Sequence, residues 1–232
     1  MIDYLNWDSH FFNLKIGKAV LSHTDEKNVA LVFNEKKSED YDVVYLFASG
    51  IDSGSDAAIR KAGGFMTDQK ITYSKEIYKD KAHELSKVIR QYSGQLTLEL
   101  LELTLQSGHE SRFNMDARLQ PKFELLYKTW IEKSLSGEMA DSVLVYEEEN
   151  TIKGFVTLKK ESALGQIGLI AVAPQLHGKG IGKALMASSD NWYKSQQINT
   201  ARVVTQKNNT AACKLYEKAG YTIEKTEFIY HL

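Results

Sequence analysis

Apolar and polar positions recur with two different periods along this chain, and the changes of period mark its elements. Residues 18–21 and 43–47 are short apolar runs that read as strands, whereas residues 26–37 and 55–62 repeat apolar side chains at helical spacing. Gly63-Gly64 stands where a glycine terminates a helix, and residues 66–77 then return to strand-like patterning. The stretch 77–108 is mixed: its segment LTLELLELTL, residues 96–105, fits an alternating strand and a helix alike. Residues 121–135 predict an amphipathic helix with Phe123, Leu126, Tyr127, Trp130, Ile131 and Leu135 on one face. Residues 142–146 and 151–158 predict a hairpin around the acidic run Glu147-Glu148-Glu149-Asn150, read as a solvated turn and not as a metal site. From Gln166 the order is strand, glycine-rich turn, helix, strand, helix, strand, which predicts an α/β domain built on a mixed sheet.

Composition narrows the class without choosing a function. The 232 residues are 43% hydrophobic and 25% charged, enough for one large domain or two small ones. Lys and Arg number 29 against 30 Asp and Glu, so no basic excess marks a nucleic-acid partner. Cys213 is the only cysteine, which excludes an intramolecular disulfide and a cysteine-rich zinc cluster. The opening MIDYLNWD lacks the basic start and apolar run of a signal peptide. No apolar run approaches the roughly 20 residues that span a bilayer. The expectation is a cytoplasmic protein with no membrane partner and no metal.

Two segments echo each other. Ile59-Arg60-Lys61-Ala62-Gly63-Gly64-Phe65 is similar to Leu215-Tyr216-Glu217-Lys218-Ala219-Gly220-Tyr221, and a strand-like run follows each. In this register Arg60 stands in the place of Tyr216. We therefore expect a smaller N-terminal α/β domain, residues 1–77, as a degenerate copy of the domain formed by residues 78–232.

Two motifs carry the candidate chemistry. In the first, an apolar strand containing Ile170-Ala171-Val172 ends before Pro174, and His177-Gly178-Lys179-Gly180-Ile181-Gly182-Lys183 opens a helix. Glycines let the backbone approach an anion, and the free N–H groups of a first helical turn bind phosphate oxygens. The spacing is neither G-x-x-x-x-G-K-[ST] nor G-x-G-x-x-G, and a bare strand-to-helix turn without ligand stays open as the alternative. The second motif runs from Val203 to Tyr221. Asn209 can cap a helix that Gly220 ends, with Ala211, Ala212, Leu215 and Ala219 on its packing face. On these residues alone Tyr216 reads as a core aromatic, and Cys213 as packing.

Taken in order, the two motifs resemble the GCN5-related N-acetyltransferase (GNAT) superfamily. His177 stands where that family's loop carries Gln or Arg, so backbone amides are expected to carry most of the phosphate binding. The resemblance implies an α/β (α+β) GNAT fold: a mixed twisted sheet flanked by helices. It also implies acetyl-CoA as co-substrate, Asn209 on the cofactor and Tyr216 as the acid that protonates the departing thiolate. Three further segments are similar to the sugar-nucleotide branch typified by dTDP-fucosamine acetyltransferase: Leu5 to Phe12, Ser111-Arg112-Phe113 with Tyr127 to Glu132, and Val204-Thr205-Gln206 through Phe228. That branch implies an amine acceptor on a nucleotide-linked 4-amino-4,6-dideoxy sugar. Arg112 is then a candidate for the nucleotide diphosphate, against the alternative of a structural ion pair. His109 and Glu110 are candidate bases, and Trp7, Phe11 and Phe12 read as core plugs. Another small amine or a peptide N-terminus is the alternative acceptor, and a coenzyme-A-binding module without turnover is the alternative class. A homodimer is compatible with the resemblance.

Overall fold

The computed structural model describes residues 1–22, 25–78 and 88–232, so residues 79–87 of the stretch read as mixed lie outside the described residues. Among the described residues, ten strands form one mixed sheet in the order β1-β2-β3-β10-β4-β9-β8-β7-β6-β5. The strands are β1 (Asp3–Tyr4), β2 (Ile16–Leu21), β3 (Val43–Ala48), β4 (Phe65–Glu76), β5 (Ile89–Gln91), β6 (Ser142–Glu148), β7 (Thr151–Glu161), β8 (Leu164–Val172), β9 (Thr200–Gln206) and β10 (Thr222–His231). The helices are α1 (Asn6–Phe12), α2 (Glu26–Ser38), α3 (Ser53–Lys61), α4 (Leu98–Ser107), α5 (Arg112–Met115), α6 (Phe123–Leu135), α7 (Ile181–Ser195) and α8 (Thr210–Lys218). No helix among the described residues is long and apolar enough to cross a membrane.

Local chemistry accounts for the element ends. Asp25, Asp52, Thr97 and Asn209 each accept a hydrogen bond from a first-turn N–H of α2, α3, α4 and α8 respectively. The Thr97 cap resolves the ambiguous 96–105 segment as helix, because α4 then buries Leu100, Leu103 and Thr104 against β7 and β8. The acidic turn is narrower than its sequence: Glu147 and Glu148 stay in β6, paired with Ile152 and Thr151, while Glu149 and Asn150 turn with positive φ. Glu147 pairs with Arg90 and Glu148 with Lys153. Two packing expectations need correction. Phe12 is buried, but Trp7 is 47% exposed and stacks on Phe11 at 4.9 Å, so it caps the surface of α1 instead of plugging the core. Ala211 is exposed, because α8 turns Tyr216 inward and leaves its first turn at a cavity wall.

The sheet has a repeated path. β2 and β3 are parallel with α2 crossing between them, and β8 and β9 are parallel with α7 crossing between them. Each unit then adds a helix and an antiparallel strand, α3–β4 in the first and α8–β10 in the second. These last strands are exchanged. β10 pairs with β3, β4 pairs with β9, and β4 and β10 pair with each other. The echoing segments of the sequence thus end α3 and α8 and enter the two central strands. Lys75 of β4 reaches Asp190 of α7 at 2.5 Å, a part-buried ion pair joining the front of the chain to the back.

Candidate active site

The sheet opens between β8 and β9. Their parallel pairing runs from Leu164 and Thr200 to Ile167 and Val203, after which β8 continues to Val172 and β9 to Gln206 without it. A bulge accompanies the opening, where Gly168 and Leu169 face the single residue Thr157 of β7. Leu169 N–H donates to Thr157 Oγ1 at 2.8 Å, and Ala173 N–H to the Lys153 carbonyl at 2.9 Å. Strand alternation then turns the N–H groups of Ile170 and Val172 toward the gap. A cavity of about 990 Å³ occupies it. At one end, Gly178 (φ 79°) and Gly180 (φ 84°) bend the chain into α7 in the left-handed region that glycine adopts without strain. Gly180 caps α7 with no side-chain hydrogen bond, so the first-turn N–H groups are free at the wall formed by Gly180, Ile181, Gly182 and Lys183. Free amides at the positive end of a 15-residue helix, beside an unpaired strand edge, fit a pyrophosphate followed by an extended amide chain.

Tyr216 comes into the same cavity from α8. It is 3% exposed and lies against Tyr73 (5.7 Å) and Tyr221 (6.3 Å). Burial pushes its phenol above the usual tyrosine range, which keeps the proton on at neutral pH. The other end of the cavity lies over β3, β4 and β10, under α5 and α6, where Phe47, Asp68, Lys70, Arg112, Tyr127 and Trp130 line it. Arg112 lies over the rings of Tyr45 (4.4 Å), Phe113 (4.6 Å) and Phe47 (5.4 Å). Its charge is felt by Asp8 of α1 and Asp68 of β4. Asp116, directly after α5, accepts from His231 Nδ1 at 2.6 Å and from Arg118 Nη2 at 2.7 Å, which ties α5 to β10. Burial raises the Asp68 carboxyl to about 7 against the opposing effects of Arg112, Lys70 and a hydrogen bond from Gln206.

Residues 107–221 match the model of the acetyltransferase (GNAT) family. The chain carries a domain of the GNAT acetyltransferase family. It is 31% identical over 131 residues to dTDP-fucosamine acetyltransferase of Escherichia coli O6:H1, covering 56% of each chain. It is 27% identical over 137 residues to the spore coat polysaccharide biosynthesis protein SpsD of Bacillus subtilis, covering 59% of this chain and 47% of that one. The chain thus spans about half the length of these relatives. Among solved structures, a GCN5-related N-acetyltransferase from Sphaerobacter thermophilus aligns with TM-score 0.53 at 15% identity, over 82% of this chain and 59% of that one, which is a likeness of fold.

The GNAT domain brings the two sequence motifs to one cavity. Ile170, Ala171, Val172, His177, Gly178, Gly180, Ile181, Gly182, Lys183, Asn209, Arg112 and Tyr216 line it, as do the exposed His109 and Glu110. Lys179 is exposed and does not. His177 Nε2–H donates to the Val172 carbonyl at 2.9 Å, tying the loop back to β8 instead of presenting that nitrogen to an anion. The two helix-opening glycines also differ in what requires them. A Cβ at Gly180 would meet nothing within 4 Å, whereas one at Gly182 would stand 3.2 Å from the Leu215 side chain of α8. Phe47, Asp68 and Lys70 were not singled out in the sequence. They lie in ordinary strand patterns, and only an acidic residue amid TDQKITY hinted at more.

Proposed function

We propose that this protein is an acetyl-CoA-dependent N-acetyltransferase acting on a primary amine, and that the amine belongs to a nucleotide-linked 4-amino-4,6-dideoxy sugar. The observation that carries the transferase reading is the single cavity shared by the free amides of α7, the unpaired edge of β8 and Tyr216. Acetyl-CoA supplies an acetyl group activated as a thioester. The α7 amides and Asn209 hold its phosphate-bearing half, the N–H groups of Ile170 and Val172 hold the extended chain and polarise the carbonyl, and Tyr216 gives its proton to the sulfur as the C–S bond breaks. The name of the Escherichia coli relative supports the aminosugar acceptor, and Arg112 at the far end of the cavity is its proposed contact. The same reading places the reaction in the cytoplasm.

The exchange of β4 and β10 supports the further reading that residues 1–77 are a degenerate copy of residues 78–232. It is a division by ancestry, since each part completes the other's sheet. Free-thiol release from acetyl-CoA, measured with aminosugar nucleotides, polyamines and peptides, tests the function. Turnover with the dTDP-4-amino sugars above all others is expected. Selective turnover of polyamines or peptides overturns the acceptor assignment, and cofactor binding without thiol release from any amine overturns the transferase reading.

A further inference from the structure

An amine attacks a thioester only as the neutral base, and most primary amines reach an enzyme protonated. The proposed acid, Tyr216, cannot also take that proton, because its buried phenol stays protonated. A second group is therefore needed to accept it, close to the acceptor end and held in place there. His109 and Glu110 are exposed, on the link between α4 and α5. Asp68 differs from both. It is 8% exposed, it stands on the cavity wall, and its Oδ1 is buried with no hydrogen-bond partner. A carboxylate oxygen left unpaired in a dry site is costly unless a ligand satisfies it.

Resting on the transferase reading, we propose that Asp68 is the base that receives the ammonium proton of the acceptor. Its place follows from the strand exchange. β4 pairs with β9 through Lys70 and Gln206, which puts Asp68 beyond the last paired residue of β9, level with the mouth of the β8–β9 gap. The groups facing it are Lys70 on its own strand, which pairs with Glu227 of β10 at 3.1 Å, Gln206 of β9, Arg112 of α5 and Tyr127 of α6. Asp68 Oδ1 takes one proton from the ammonium, and the freed lone pair forms the C–N bond at the carbonyl carbon. The C–S bond breaks, and Tyr216 protonates the sulfur. The second amine proton restores the phenol, and Asp68 releases its own to water, so one proton leaves per turnover. Arg112, stacked among three rings, adds a positive charge nearby that favours the ionised carboxylate.

Asp68→Asn keeps the shape of the side chain and removes the base. Expected are a 10²–10⁴-fold fall in kcat, roughly the range for a lost general base, unchanged coenzyme A affinity by calorimetry, and partial recovery in Asp68→Glu. The acidic limb of the kcat/KM profile, centred near pH 7 in the parent, should be absent from the Asn variant. Melting curves give a readout without turnover. A carboxyl whose folded value exceeds its unfolded one withdraws stability as pH rises from about 4 to about 7, so the melting temperature of Asp68→Asn relative to the parent should climb across that window. Asp68→Asn turnover within twofold of the parent, or a flat difference in melting temperature, overturns the base assignment while leaving the transferase intact. A parent that binds coenzyme A but releases no thiol with any amine overturns the transferase reading, and the base with it.

Discussion

A phenol can act as an acid only if it holds its proton until the sulfur needs it. Tyr216 meets that condition through burial between Tyr73 and Tyr221, and the hydroxyl of Tyr73 is itself engaged with Glu217 Oε1 at 3.0 Å. Tyr216→Phe removes one oxygen from a cavity wall. It should keep coenzyme A affinity and lower turnover by about 10²–10⁴. Turnover within twofold of the parent, measured by thiol release, would take Tyr216 out of the mechanism. Gly180 is held by backbone shape, since its φ of 84° strains any L side chain by roughly 1–2 kcal/mol. Gly180→Ala should weaken coenzyme A binding about tenfold in calorimetry as the amides shift, with Leu215 and α8 undisturbed. Gly182→Ala should instead act through α8, because the new methyl meets Leu215. Equal losses from the two substitutions would refute this division of roles. The sequence named both glycines, but their difference depends on φ and on a neighbour 33 positions away, which spacing does not report.

At the scale of elements, α7 and α8 do opposite things with their N-termini. α7 begins on a glycine that caps nothing, so its amides remain available; α8 begins on Asn209, whose Oδ1 accepts from Ala212 N–H at 3.1 Å. Asn209 therefore has two tasks that separate chemically, a cap that needs the side-chain oxygen and a proposed cofactor contact that needs the amide N–H. Asn209→Asp should keep the melting temperature and lose coenzyme A affinity. Asn209→Ala should lose both, with about 1 kcal/mol of stability gone with the cap. Thermal melts and calorimetry on the pair decide it, and an Asp variant of parental affinity would leave Asn209 as a cap alone. Most element positions were legible because capping and periodicity are local. The helix α4 was not, since its pattern fits both periods, and the Thr97 cap together with burial against β7 and β8 selects helix. Nor was Trp7, whose exposure reflects where α1 ends up on the sheet.

At the scale of the molecule, the exchange of β4 and β10 makes the two parts of the chain one folding problem. Residues 78–232 alone would keep β10 but lose β3 and β4, its neighbours on both sides, and would also leave Asp190 of α7 without Lys75. The isolated fragment is expected to aggregate or to lack a cooperative melt, and co-expression with residues 1–77 should restore a soluble complex that binds coenzyme A. A well-folded fragment on its own would refute the interdependence. Within the sequence, the order of strands and helices, the two motifs and the echo between residues 59–65 and 215–221 were all present, because each rests on interactions between residues near in the chain. The partners across the sheet were not. Strand exchange conserves every local pattern while changing which part of the chain reaches the cavity, so Asp68, an unremarked residue of a front-half strand, comes to face a site whose motifs lie more than a hundred residues away. Sequence fixes which groups can do chemistry; the energy of completing a sheet, shared among distant strands, decides which of them meet.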